Sequence, residues 1–162
     1  APEGVIASEI EPSYSAQAVT PAELATVRAD MLKAVNAARA VARKCGTVSY
    51  PARGPLKANA KLDLAAQKHT TDMMTKNYFS HTGKDGSQPW DRIKREGYNW
   101  GAVGENIAAG NSTVTATMTQ WLNSPGHCAN IMGANFTEIG IGFDKGAGTY
   151  KYYWTQAFAK PR

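Results

Sequence analysis

Three polar residues stand in stretches otherwise built from small or apolar side chains. They are His81 in Tyr78-Phe79-Ser80-His81, Glu105 in Gly104-Glu105-Asn106-Ile107, and His127 in Ser124-Pro125-Gly126-His127. Two imidazoles and a carboxylate are the groups that hold a divalent metal or move protons near neutral pH. They lie too far apart in the chain to share one helix face, so only the tertiary structure can bring them together. Glycine, serine and proline ahead of Glu105 and His127 point to element ends with special backbone geometry, where sites tend to be built.

Each residue also has a plainer interpretation. His81 follows two aromatic residues and precedes Thr82-Gly83, as a surface or capping histidine on a loop would. Glu105 needs either a partner or exposure, because a buried carboxylate without a partner is costly. His69 falls on a helical apolar stripe and is expected to be a hydrogen-bonded core histidine. Glu138 alternates with Phe136 and Gly140 as an ordinary sheet residue. Ser80 and Ser124 lie beside histidines, but neither sits in a Gly-x-Ser-x-Gly elbow, which argues against a serine hydrolase. Tyr150, Tyr152 and Trp154 could line a groove, although core packing is the default for such a string. Asn111-Ser112-Thr113 and Asn135-Phe136-Thr137 match the glycosylation sequon, which matters only in a eukaryotic secretory pathway.

The elements that must position these residues are legible from periodicity and caps. Residues 1–20 carry Pro2, Pro12 and several acids without periodicity, and they are expected to form an extended arm ahead of a single domain over 21–162. Thr20-Pro21 followed by Glu23 opens a first helix, whose apolar positions Leu24, Val27, Met31, Val35 and Ala38 run on to about Lys44 before Gly46 stops it. A second helix is expected over 57–77, with Leu62, Ala65, Ala66, His69 and Met73 on one face. Ser87 is expected to cap a short third helix that ends at Gly97. Residues 98–111, rich in glycine and alanine, predict irregular chain up to a fourth helix that opens at Asn111-Ser112 and ends at Pro125. Two strands, Phe136 to Phe143 and Tyr150 to Ala159, flank the glycine-rich turn Asp144 to Thr149 and predict an antiparallel hairpin. Helices first and strands last indicate an α+β domain.

Length and composition narrow the function classes. A chain of 162 residues is large enough to bury a real core in one domain. No apolar run approaches the ~20 residues needed to span a bilayer, so an integral membrane protein is not expected. A net charge of +5 favours acidic surfaces in general, but the basic residues are scattered, which disfavours a specific nucleic-acid binder. The start, Ala1-Pro2-Glu3-Gly4, is what signal-peptide removal would leave, and a trimmed chain would look the same. Cys45 and Cys128 would be an unremarkable reduced pair in the cytosol and one disulfide in an exported protein. Closing a loop of about 80 residues would constrain the unfolded chain by roughly 4 kcal/mol.

The ordered set of short motifs resembles the CAP superfamily of cysteine-rich secretory, antigen 5 and pathogenesis-related proteins, and within it the bacterial secreted SCP-like branch. The matching stretches are Leu64 to His69, Asp72-Met73, Tyr78 to His81, Gly104 to Ile107, Trp121 to His127, Asn130 to Met132, Ile139 to Gly142 and Tyr153 to Gln156. The resemblance implies an α-β-α sandwich with a central antiparallel sheet between helical layers. It also implies an open cleft where two histidines and two acids converge and can bind a divalent cation. By position, His81 and His127 match the family's histidines and Glu105 its Gly-Glu-Asn glutamate. The second acid is missing: the pattern Trp-x-x-Glu reads Trp121-Leu122-Asn123-Ser124 here, so a neutral hydroxyl stands where charge would help hold Zn²⁺.

These features together predict a secreted binding module, extracellular or periplasmic and monomeric, in which Cys45–Cys128 is the one disulfide and turnover is not expected. His81, Glu105, Ser124 and His127 would form its ligand cleft. No cofactor would be required, and a divalent cation such as Zn²⁺ would be held weakly by His81 and His127 beside Glu105. Lipid, polysaccharide or protein are the expected ligand classes. The rival is a metal-assisted hydrolase, a peptidase or esterase, in which His81 and His127 hold the cation and Glu105 and His127 serve the chemistry.

Overall fold

The structure is a computed structural model describing residues 18–162. The arm expected over residues 1–20 therefore lies almost wholly outside the described residues. Helix α1 (Pro21–Arg39) starts where Thr20 predicts: the Thr20 hydroxyl accepts from the Glu23 backbone N–H, and proline occupies the first turn. It ends at Arg39 rather than near Lys44. Beyond it the chain folds into a small hairpin, β1 (Arg43–Cys45) and β2 (Val48–Tyr50), turned at Gly46 with φ +64°. Tertiary contacts overrule the helical propensity of 40–44. Buried Arg39 is pinned by the carbonyls of Gly54, Ile131 and Gly133, and extended backbone then delivers Cys45 to Cys128.

A two-residue strand β3 (Lys57–Ala58) precedes α2 (Ala60–Thr75), which is capped by the Asn59 side chain. Helix α3 (Pro89–Arg95) is capped by Gln88, one residue later than expected, because the Ser87 hydroxyl instead lies buried against Arg92. Residues 98–111 correct the sequence expectation most clearly. They are not irregular chain but contain the long strand β4 (Trp100–Ala109). Glycine and alanine have low strand propensity, yet continuous pairing with a neighbouring strand overrides it. Helix α4 (Val114–Leu122) is followed directly by α5 (Pro125–Ile131), so Pro125 begins a new helix as well as marking the end of the old one. Strands β5 (Glu138–Lys145) and β6 (Tyr152–Pro161) form the expected antiparallel hairpin, each about two residues later than the pattern suggested.

The sheet order is β3-β5-β6-β4. The three long strands are antiparallel, and only the short β3 edge pairs in parallel, with β5. Helices flank both faces, which is the α-β-α sandwich. On one face Met31, Val35, Trp121, Met132, Ile139, Ile141 and Phe158 join α1, α4 and α5 to the sheet. On the other, Leu62, Ala65, Ala66, Ile93 and Ala157 join α2 and α3 to it. The period-two alternation of β5 divides these layers: Ile139, Ile141 and Phe143 face the first, while Gly140 and Gly142 lie under α2. A Cβ on Gly140 would sit 2.0 Å from the Leu62 carbonyl carbon, and one on Gly142 would sit 2.6 Å from the Ala66 oxygen. The helix backbone rests directly on these glycines. No helix among the described residues is long and apolar enough to cross a membrane.

The obstacle at Gly140 is rigid backbone rather than a flexible side-chain end. We expect Gly140→Ala to cost about 3 kcal/mol or more of unfolding free energy in urea, against a small change for Gly54→Ala, whose Cβ would meet open space.

Candidate functional site

The edge strand β4 carries Glu105, and elements from both helical layers reach it. Glu105 lies on the α2/α3 side of the sheet, with its side chain 5% exposed. Burial on that scale demands partners, and both carboxylate oxygens have one. Oε1 is 2.6 Å from Nδ1 of His81, and Oε2 accepts from Arg92 at 2.8 Å. Arg92 comes from α3 and has a side chain only 9% exposed. It also donates to the His81 carbonyl and to the carbonyl and hydroxyl of Ser87. One guanidinium therefore neutralises Glu105 and clamps both ends of the loop between His81 and Ser87. The His81 ring itself remains half exposed.

His127 approaches from α5. Its Nδ1 lies 2.8 Å from the Ser124 hydroxyl, at the residue that precedes the helix. The Ser124 side chain caps no backbone N–H, which leaves it committed to the imidazole. Burial, and then the nearby charge of His81, hold the His127 imidazole below its ordinary pKa and so favour the neutral ring. The helix is fixed to the strand by the amides of buried Asn106 and half-buried Asn130. Asn106 donates to the His127 carbonyl and to Gln156, while Asn130 donates to the Glu105 carbonyl and to the Asn106 side chain. Behind it the Cys45–Cys128 disulfide, with both cysteines buried, anchors α5 to β1.

The structure thus joins His81 to Glu105 and Ser124 to His127, with His81 near enough to contribute to the lowered pKa of His127. Glycine before Glu105 does not mark special backbone geometry. Gly104 is strand backbone, and its missing side chain leaves room for Phe136, whose ring would be 2.7 Å from a Cβ there. Glu138 stands apart, on β5, bonded to the Tyr98 hydroxyl. His69 is buried with Nε2 on the Ser80 carbonyl, as a core histidine should be. Arg92, Asn106 and Asn130 were not singled out from the sequence. The one signal for Arg92 was indirect: a glutamate expected to be buried requires a cation. Among the described residues, no three of His, Cys, Asp and Glu converge closely enough to make a metal centre.

A sheet between two helical layers, with a loop histidine bonded to a strand glutamate and a second histidine on a helix tied to the same strand, is the arrangement of an SCP-like domain. The model of the cysteine-rich secretory protein family, CAP, matches residues 32–158, and the chain belongs to that family. It is similar to YkwD of Bacillus subtilis, 38% identical over 104 residues that make up 64% of this chain and 39% of that protein. It is also similar to the Bacillus subtilis membrane protein YlbC, 37% identical over 57% of this chain and 25% of that one. The chain thus spans well under half the length of these relatives. Among solved structures, an extracellular SCP-domain protein of Bacillus anthracis superposes with TM-score 0.65 and 26% identity, covering 88% of this chain and 44% of that one. An outer surface protein of Borrelia burgdorferi shares the fold at TM-score 0.66 and 16% identity, covering 96% of this chain and 98% of that one. The matches and the disulfide place the chain in the bacterial secreted branch, as an extracellular protein.

Two outcomes follow from the buried charges. Arg92→Met strands the Glu105 carboxylate and should cost about 3–5 kcal/mol in chemical denaturation, with Arg92→Met combined with Glu105→Gln recovering part of the loss. The second concerns pH. His69 and His127 both have pKa values lowered in the fold, in each case chiefly by burial. Below an unfolded value of about 6.5 the unfolded chain takes up protons first, so stability is complete above about pH 6.5 and declines as pH falls towards the lower folded values. Melting temperatures measured from about pH 8 to about pH 5 should fall in that window, and His127→Gln should flatten part of the slope.

Proposed function

We propose that this CAP domain is an extracellular binding module whose cleft presents the two imidazoles of His81 and His127 to a ligand, with Glu105 and Ser124 orienting them. The observation that carries this is the matched treatment of the rings. Each Nδ1 is held by an oxygen, from Glu105 or from Ser124, so each Nε2 is the nitrogen left for an incoming group. The basic net charge favours acidic components of the cell envelope, whether lipid, polysaccharide or protein, as the source of that group.

A divalent cation fits this donor set only through the two imidazoles. Glu105 has both oxygens engaged, and Ser124 supplies no charge, so Zn²⁺ would be a weak occupant and not a required one. When bound, such a cation would act as a Lewis acid towards a ligand oxygen. The rival, a metal-assisted hydrolase, needs Glu105 as a base with a free oxygen. Proton uptake there would have to displace His81 or leave the Arg92 guanidinium uncompensated, and this favours binding over turnover.

Thermal denaturation with increasing Zn²⁺ tests the cleft. The wild-type melting temperature should rise only when Zn²⁺ greatly exceeds the protein, and His81→Ala and His127→Ala should each abolish the rise. A wild-type curve unmoved at every concentration removes the cation from the proposal. Steady turnover of a peptide and ester panel, lost in both Glu105→Gln and His127→Ala, would establish the hydrolase instead.

A further inference from the structure

Behind the cleft, between α2 and α3, lies a cavity of about 200 Å³. It is smaller than the pockets of roughly 300–1,000 Å³ that take drug-sized ligands, so its occupant is correspondingly small. Three of its lining residues, His69, Ser87 and Arg92, are polar and more than nine-tenths buried. The His69 ring is the informative one. Its Nε2 meets the Ser80 carbonyl, which can only accept, so Nε2 carries the proton and Nδ1 of the neutral ring is an acceptor. Among the described residues Nδ1 has no hydrogen-bond partner, and a buried polar atom without one calls for an explanation.

The rim adds a second constraint. It is made of three ion pairs: Lys68 with Glu96 at 2.8 Å, Lys76 with Asp72 at 3.0 Å, and Arg95 with Asp85 at 2.8 Å. A simple anion would recruit the cations and strand carboxylates, and a simple cation would do the reverse. A zwitterion can exchange partners with such pairs and leave neither sign unbalanced. The cation of each pair is more than half exposed, so the pairs are screened and individually weak, and releasing the cations is cheap.

From the unpartnered Nδ1 and the paired rim we propose that this cavity is a binding site for a small α-amino-acid zwitterion. Its ammonium group donates both to Nδ1 of His69 and to a rim carboxylate, and its carboxylate accepts from the rim cation that this carboxylate releases. The site is separate from the imidazole cleft and does not depend on what that cleft binds. The two share one residue, since Arg92 lines the cavity and holds Glu105 and the His81 loop from the other side.

The test is NMR titration of the whole chain with glycine and L-alanine, using acetate and ethylammonium as single-charge controls. Saturable shifts are expected in the His69 ring nitrogens and in the backbone amides of Gly83 to Ser87, with a dissociation constant on the order of 1 mM. Arg95→Ala, a substitution on the exposed rim, should weaken binding about threefold without unfolding the domain. The proposal is overturned if neither amino acid gives saturable shifts, if acetate alone reproduces them, or if they map to His127 and not to His69.

Discussion

The buried carboxylate of Glu105 sets the terms for everything around it. An ionised group taken out of water is tolerated only with charge and hydrogen bonds supplied in place, and here Arg92 and His81 supply them. Because Arg92 belongs to α3, Glu105 to β4 and His81 to the loop between α2 and α3, one neutralised charge fixes the mutual position of three segments. The same guanidinium bonds the His81 and Ser87 carbonyls, so the loop is closed at both ends by the residue that balances the glutamate. The exposed imidazole is thereby held on a rigid support even though its own ring is open to solvent.

That arrangement depends on how closely the helical layers approach the sheet. Gly140 and Gly142 let the α2 backbone settle directly on β5, which sets the height from which the following loop and α3 reach the sheet edge. On the opposite face α5 is located by the disulfide and by the linked amides of Asn106, Asn130 and Gln156. Asn106 and Gln156 are fully buried, where an amide tolerates only a position that satisfies it. His81 and His127 thus come from opposite layers and are each tied to the same edge strand, through Glu105 and Asn106, by contacts that have little tolerance.

Serine in place of a second acid changes the character of the cleft. A carboxylate at position 124 would add negative charge beside His127 and favour its protonated or cation-bound forms. The Ser124 hydroxyl orients the ring without that bias, and burial, with His81 nearby, lowers the pKa of the imidazole and favours its neutral form. Glu105 does not make up the missing charge, because Arg92 already cancels it. The proposed cleft would therefore offer oriented hydrogen-bonding groups and little free negative charge, a combination suited to recognition rather than tight metal capture.

Much of the fold was legible locally, because caps, periodicity and turns act over a few residues. Thr20 starts α1, the stripe from Leu62 to Met73 defines α2, and the glycine-rich turn after Phe143 joins the two final strands. The ordered motifs pointed to the family, and His81, Glu105 and His127 stood out because each is a polar exception within its stretch. What the sequence could not reveal was decided by contacts between distant segments. Residues 100–109 have weak strand propensity and become a strand only because β6 offers a full row of pairing partners. The end of α1 is fixed by carbonyls far away in the chain and by the reach of Cys45 to Cys128. Arg92 looks like any helix-surface cation until tertiary packing buries it against Glu105. The sequence by itself determined which groups were available and where local structure would begin. Tertiary structure alone decided which charge neutralises which, since that depends on burial and distance, and neither is a property of a single segment.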